Sequence, residues 1–106
     1  MNVLFRVDSS FEIGLGHVMR CLVLADQYKE DNVFFATQNL IGNINQKIVD
    51  KGYNLIELTD GSVDGLIQRI NDLNINMVVF DHYDIDSNFE KEVKNLSGVK
   101  ILSIDD

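Results

Sequence analysis

The densest chemistry in this 106-residue chain lies between Arg6 and Arg20. There Arg6-Val7-Asp8-Ser9-Ser10 leads through Gly14-Leu15-Gly16 into His17 and Arg20. A histidine in the first turn of a helix feels the positive end of the macrodipole, which opposes protonation. His17 is therefore expected to be a neutral base at pH 7, ready to accept a proton from water or substrate; a plain helix cap is the alternative. Gly14 and Gly16 either make a tight strand-to-helix turn or let a ligand approach the backbone amides at an anion-attracting helix start. Arg20 follows His17 by one helical turn on roughly the same face, where it either discourages protonation further or binds a carboxylate. A second polar group, Asp81-His82-Tyr83, follows the apolar run Met77-Val78-Val79-Phe80. Tyr83 reads as a substrate contact or a loop anchor, and His82 as structural or rim-exposed.

Arg6 interrupts an apolar strand, and a buried arginine must be paired. Asp8, Asp81 and Asp105 are its candidate partners, in a network that reads as structural. Cys21 reads as a small core residue. Neither histidine belongs to a ligand pair with metal-site spacing, so no metal is expected. The dinucleotide fingerprint is incomplete, with Met19 where the third glycine belongs and no acid closing Ala36-Thr37-Gln38. No nicotinamide cofactor is expected, and a Walker phosphate loop is absent.

These residues need elements to hold them. Strands are predicted at Val3 to Val7, Val33 to Thr37, Asn54 to Leu58, Met77 to Phe80 and Lys100 to Ile104. Between them, apolar residues at spacings of three and four predict four amphipathic helices. The first runs from His17 to about Lys29, with Val18, Cys21, Leu22, Ala25 and Tyr28 on one face. The second holds Ile41, Ile44 and Ile48, the third Val63, Leu66, Ile67 and Ile70, and the fourth Phe89, Val93 and Leu96. Alternating strands and helices predict an α/β, Rossmann-like fold: a parallel five-stranded sheet of order 3-2-1-4-5 with helices on both faces. One domain over 1–106 is expected, since nothing marks an internal boundary. Ligands of such sheets bind beyond the carboxyl ends of the strands where the order reverses. That places Asp8, His17, Asp81, His82 and Tyr83 around one crevice, with Asp105 and Asp106 at the same edge.

The net charge of -8 argues against nucleic acid or an anionic membrane surface as the main partner. No apolar run approaches the roughly 20 residues of a membrane span. Met1 leads directly into a strand, without a signal peptide, and the expected location is cytoplasmic.

The blocks Arg6-Val7-Asp8-Ser9-Ser10 and Ile13-Gly14-Leu15-Gly16-His17-Val18-Met19-Arg20-Cys21-Leu22-Val23-Leu24-Ala25 resemble a known family. It comprises the nucleotide-sugar hydrolases of pseudaminic acid biosynthesis and the related spore coat polysaccharide biosynthesis proteins. Asp81-His82-Tyr83 and Ser103-Ile104-Asp105-Asp106 follow the same pattern in order and spacing. The former members hydrolyse UDP-2,4-diacetamido-2,4,6-trideoxy-β-L-altropyranose to UDP and the free sugar. The resemblance implies a glycosyltransferase-B-like architecture of two Rossmann-like domains, no metal and no cofactor. It implies that His17 is the general base for water, that Gly14, Leu15, Gly16, Arg20 and Tyr83 meet the substrate, and that Arg6, Asp8 and Asp81 support them. It also implies a C-terminal domain, absent here, that supplies most UDP contacts in cis or in trans, so that the chain alone is expected to bind nucleotide poorly and turn over slowly or not at all. Two other readings stand beside it: a non-hydrolytic sugar-nucleotide-binding or glycosyltransferase half-domain, and a phosphoacceptor receiver-type module using Asp81.

Overall fold

The computed structural model describes residues 1–81 and 87–104. His82, Tyr83, Asp105 and Asp106 lie outside the described residues, as does the side chain of Leu96. Among the described residues five strands and four α-helices alternate: β1 (Asn2–Arg6), α1 (Gly16–Ala25), β2 (Asn32–Gln38), α2 (Asn45–Asp50), β3 (Asn54–Leu58), α3 (Val63–Asp72), β4 (Met77–Asp81), α4 (Ser87–Ser97) and β5 (Lys100–Ile104). All strand pairs are parallel, in the order β3-β2-β1-β4-β5. The expected sheet is thus borne out.

The period-two alternation of strand side chains divides the core in two. Val3, Phe5 and Val7 face one side with Phe35 and Val79, and α1 covers them with Val18, Cys21, Leu22 and Ala25 while α2 adds Ile48. Leu4, Ala36, Val78 and Phe80 face the other side, under Leu66 and Ile70 of α3 and Val93 of α4. Central strands covered on both faces must be apolar throughout, which is why they read as unbroken runs. Phe5 and Phe35 stack across β1 and β2 with ring centroids 4.9 Å apart. No helix among the described residues is long and apolar enough to cross a membrane.

Element ends differ by small amounts from those expected. The first helix starts at Gly16 and gives way after Ala25 to a 3-10 turn, Asp26–Tyr28, rather than running evenly to Lys29. Ile41 does not lie on the second helix, and Ile44 only precedes it as its N-cap residue. Gly42 at φ +82° turns the chain first, Asn43 Nδ2 donates to the Leu40 carbonyl at 2.7 Å, and α2 begins only at Asn45. Ile41 is left 83% exposed in the loop after β2.

Candidate functional site

The carboxyl ends of β1, β2 and β4 stand side by side, because β1 lies between the other two. Two polar networks grow from them. The first is built on Asp81, the last residue of β4, whose side chain is fully buried. His17, the second residue of α1, places its Nδ1 against Asp81 Oδ1 in a short hydrogen bond. Arg20, one turn further, donates from Nε to Oδ2 and from Nη2 to Oδ1, both at 2.7 Å. Such a two-pronged guanidinium–carboxylate contact fixes orientation as well as charge. Cys21 Sγ lies 3.7 Å from Asp81 Oδ2 at the floor of the cluster.

Burial alone would push the Asp81 carboxyl up. The hydrogen bonds from Arg20, then the charge and hydrogen bond of His17, hold it below its ordinary value. Asp81 is therefore an anion at neutral pH and can only accept hydrogen bonds. Its short contact with Nδ1 accordingly assigns the proton of a neutral His17 to Nδ1. Nε2 becomes the proton-accepting nitrogen, as in other carboxylate-oriented imidazoles. Burial, reinforced by the Asp81 charge, pushes the Cys21 thiol far up. It stays a neutral thiol in the core, as its sequence context suggested.

The second network is built on Arg6, the last residue of β1, which is only 4% exposed. Its Nη1 donates to Asp8 Oδ1 at 2.8 Å. Asp8 is completed by β2: the Gln38 backbone N–H donates to Oδ1 at 2.8 Å and Gln38 Nε2 to Oδ2 at 2.9 Å. Of the partners considered for Arg6, the structure thus shows Asp8; Asp81 is occupied by His17 and Arg20. Next to this network opens a cavity of about 730 Å³, walled by Arg6, Asp8, Phe11, Gln38, Ile41 and others. His17, Arg20 and Asp81 are not in that wall. Among the described residues, the crevice expected at the reversal point is two neighbouring features, a hydrogen-bonded His17–Arg20–Asp81 cluster on β4 and α1 and a cavity over β1 and β2.

The loop between them is well tied down. Ser10 Oγ accepts from the Ile13 N–H at 2.8 Å, and the Ser10 carbonyl accepts from the Gly14 N–H at 2.8 Å. This closes a tight turn with Gly14 at φ +88°, a conformation that favours glycine. Leu15 then precedes α1 without a side-chain cap. Ser9 Oγ accepts from the Ile44 N–H at 2.9 Å and the Phe11 N–H donates to the Ile41 carbonyl at 3.0 Å. Gly14, Leu15 and Gly16 are accordingly brought next to His17 by chain connection, on a turn anchored to the loop after β2.

Sequence reasoning missed Gln38, Phe11 and Ile41. Gln38 was legible in principle: it ends the strand neighbouring β1, so its amide falls beside Asp8 once the strand order is known. Phe11 and Ile41 carry no motif; only the two loops folding together makes them neighbours.

Comparison with known proteins adds an independent line. No family model matches the chain. It is 44% identical over all 106 residues to the UDP-2,4-diacetamido-2,4,6-trideoxy-beta-L-altropyranose hydrolase of Campylobacter jejuni, and spans 37% of that protein's length. It is 28% identical over 100 residues, 91% of the chain, to an uncharacterized protein of Methanocaldococcus jannaschii, of which it spans 20%. Among solved structures, a glycosyltransferase from Rickettsia africae superposes with a TM-score of 0.70 at 13% identity, over 96% of this chain and 28% of that one. A universal stress protein family member from Burkholderia pseudomallei gives 0.57 at 10% identity, over 97% and 94%. The two structural likenesses establish the fold, a Rossmann-like α/β sheet. The sequence match bears out, over the whole chain, the resemblance read from its motifs to a hydrolase of UDP-sugars.

Proposed function

We propose that the chain is the base-bearing domain of a nucleotide-sugar hydrolase that releases UDP from a UDP-diacetamido-trideoxy sugar. The sugar is a precursor of pseudaminic acid or a related surface glycan, made in the cytoplasm. The observation that carries this reading is the His17–Asp81–Arg20 cluster, in a chain 44% identical to a UDP-sugar hydrolase. In the proposed step Nε2 of His17 takes a proton from water as the water oxygen attacks. The bond between sugar and diphosphate breaks, and its electron pair leaves with UDP. Asp81 holds the imidazole in the accepting tautomer and balances the imidazolium that forms. Arg20, expected at first to meet substrate, is a positioning residue in this scheme, since its Nε and Nη2 are committed to Asp81. The Gly14-Leu15-Gly16 turn and Tyr83 approach the sugar, and the UDP contacts come from a further domain, in cis or in trans.

The phosphoacceptor reading is disfavoured by geometry. An acceptor aspartate must reach solvent, whereas the Asp81 side chain is fully buried beneath His17 and Arg20. A half-domain that binds sugar nucleotide without cleaving it is separated by assay. UDP release from the UDP-diacetamido sugar is measured with the chain alone and with the remaining portion of a homologous hydrolase added. His17→Gln is expected to lower release at least about 10²-fold, the usual worth of a general base. Unchanged release would remove His17 from the base role. Substrate binding without release from the wild-type pair would favour the binding reading.

A further inference from the structure

The cavity over β1 and β2 is outside the cluster assigned to proton transfer, and its wall has a distinct chemistry. Its volume of about 730 Å³ falls within the range of small-molecule sites, roughly 300–1,000 Å³. Arg6 forms part of the wall while being only 4% exposed. Among the described residues its guanidinium is engaged by Asp8 and the Ala36 carbonyl through Nη1 only. Nε and Nη2 are thus donors, at a cavity wall, that the described residues leave for a ligand acceptor. Asp8 is different: both its oxygens are occupied, by Arg6 and by the two Gln38 donors.

At the rim, Phe11 and Ile41 are 84% and 83% exposed. Phe11 is nevertheless held. Its N–H is bonded to the Ile41 carbonyl, and its ring lies against Gly42, where a Cβ would come within 2.5 Å of Cγ. Gly42 therefore makes room for the ring, and an exposed aromatic beside a cavity is a surface on which an apolar ligand face can stack. The remaining charge on the wall is acidic: Glu12 joins Asp8, and Arg6 is already neutralised by Asp8. A phosphate would meet net negative charge there. A neutral group with a carbonyl acceptor and a methyl or ring face suits the wall.

We propose that this cavity is the subsite for an N-acyl substituent of the sugar, with Arg6 donating to the acyl carbonyl and Phe11 and Ile41 covering the methyl and the adjacent ring face. The assignment rests on the sugar-nucleotide reading above and makes the acylamino group, rather than the diphosphate, the part of the substrate that this region discriminates. A site built to donate to a carbonyl rejects analogues that lack it, because its buried donor is then left unpaired.

The test is a titration of the 15N-labelled chain with N-acetylglucosamine, with glucose and glucosamine as controls, followed by amide chemical shifts. Saturable shifts at Ser10–Ile13 and Gln38–Ile41 are expected for the N-acetyl sugar alone. Phe11→Ala, a change at an exposed position, should weaken that binding roughly five-fold. Arg6→Lys should remove the preference for the N-acetyl sugar over glucose, with its fold checked by the same spectra. Absent shifts, equal shifts with glucose, or binding indifferent to Phe11→Ala would overturn the subsite. The two readings fail separately. A chain that discriminates the N-acetyl group but never supports UDP release overturns the hydrolase reading alone. Release of UDP equally from substrates with and without acyl groups overturns the subsite alone.

Discussion

Arg6–Asp8 and Arg20–Asp81 are both arginine–aspartate pairs at the carboxyl ends of neighbouring parallel strands, β1 and β4. In the first, both oxygens of the carboxylate already accept, three hydrogen bonds in all from Arg6 and Gln38, while the arginine keeps Nε and Nη2 without a partner among the described residues. In the second, the arginine is locked on the carboxylate and the carboxylate is turned to a histidine, so the pair can act on a proton through that histidine. The same two residue types make an arginine–amide network in one place and a carboxylate-oriented imidazole in the other. What decides is the third group supplied by the adjoining element, an amide from β2 or an imidazole from α1.

The largest expected effect breaks the second pair. Asp81→Asn keeps the shape but gives Nδ1 a neighbour that can donate, which favours the proton on Nε2. UDP release by the reconstituted enzyme should fall roughly 10²- to 10⁴-fold, with substrate affinity nearly unchanged. Arg20→Lys keeps the charge and loses the fork, so a smaller loss is expected, roughly ten-fold in turnover. A loss as large as that of Asp81→Asn would mean that Arg20 meets the substrate directly.

The first pair should fail in stability instead. Arg6→Met leaves Asp8 without its buried cation, and unfolding in urea is expected to show a loss of about 3 kcal/mol. The state of His17 should not change, since among the described residues the Arg6 side chain bonds to Asp8 and the Ala36 carbonyl. Movement of the His17 ring signals in this variant would show that the two networks are one.

Acid separates the pairs more gently. The Asp81 carboxyl titrates lower in the folded chain than in the unfolded one, so its contribution to stability is fully present above the ordinary carboxylate range. It is lost as pH falls through the lower folded value. Acid unfolding of Asp81→Asn should therefore have a shallower pH dependence than that of the wild type. At the other end, Tyr53 donates to Asp26 at 2.5 Å, and its phenol, raised first by burial and then by that bond, titrates at about 12. Its contribution is present below the ordinary phenol value and lost as pH rises through about 12. Tyr53→Phe, the smallest change of the set, should remove that alkaline loss and touch neither strand-end network.

The sheet was legible almost entirely from the apolar pattern. β1, β2 and β4 are covered on both faces and so read as short apolar runs, and right-handed crossovers left few topologies, of which the order 3-2-1-4-5 is the commonest. Within the site, Asp81 was visible as a polar residue at the carboxyl end of an apolar strand, and His17 and Arg20 as polar residues in the opening turns of a helix. Their mutual geometry was not. Arg20 had two open readings, and only the position of α1 over β4 selects the carboxylate. Ile41 shows the reverse failure: its spacing to Ile44 and Ile48 suits a helix, but a glycine at positive φ and an asparagine side chain closing the loop override the period. Phe11 had no periodic or motif signal at all, because its place depends on a loop more than twenty-five residues away in sequence.

The central claim is that Asp81 holds His17 with its proton on Nδ1 and its accepting lone pair on Nε2. Nitrogen-15 NMR of the His17 ring, in the wild-type chain and in Asp81→Asn, tests this without any requirement for turnover. At a pH where the imidazole is neutral, the account predicts a protonated, pyrrole-like Nδ1 and a pyridine-like Nε2 in the wild type, with the proton shifted toward Nε2 in the variant. A wild-type ring protonated on Nε2, or a tautomer indifferent to Asp81→Asn, would contradict it.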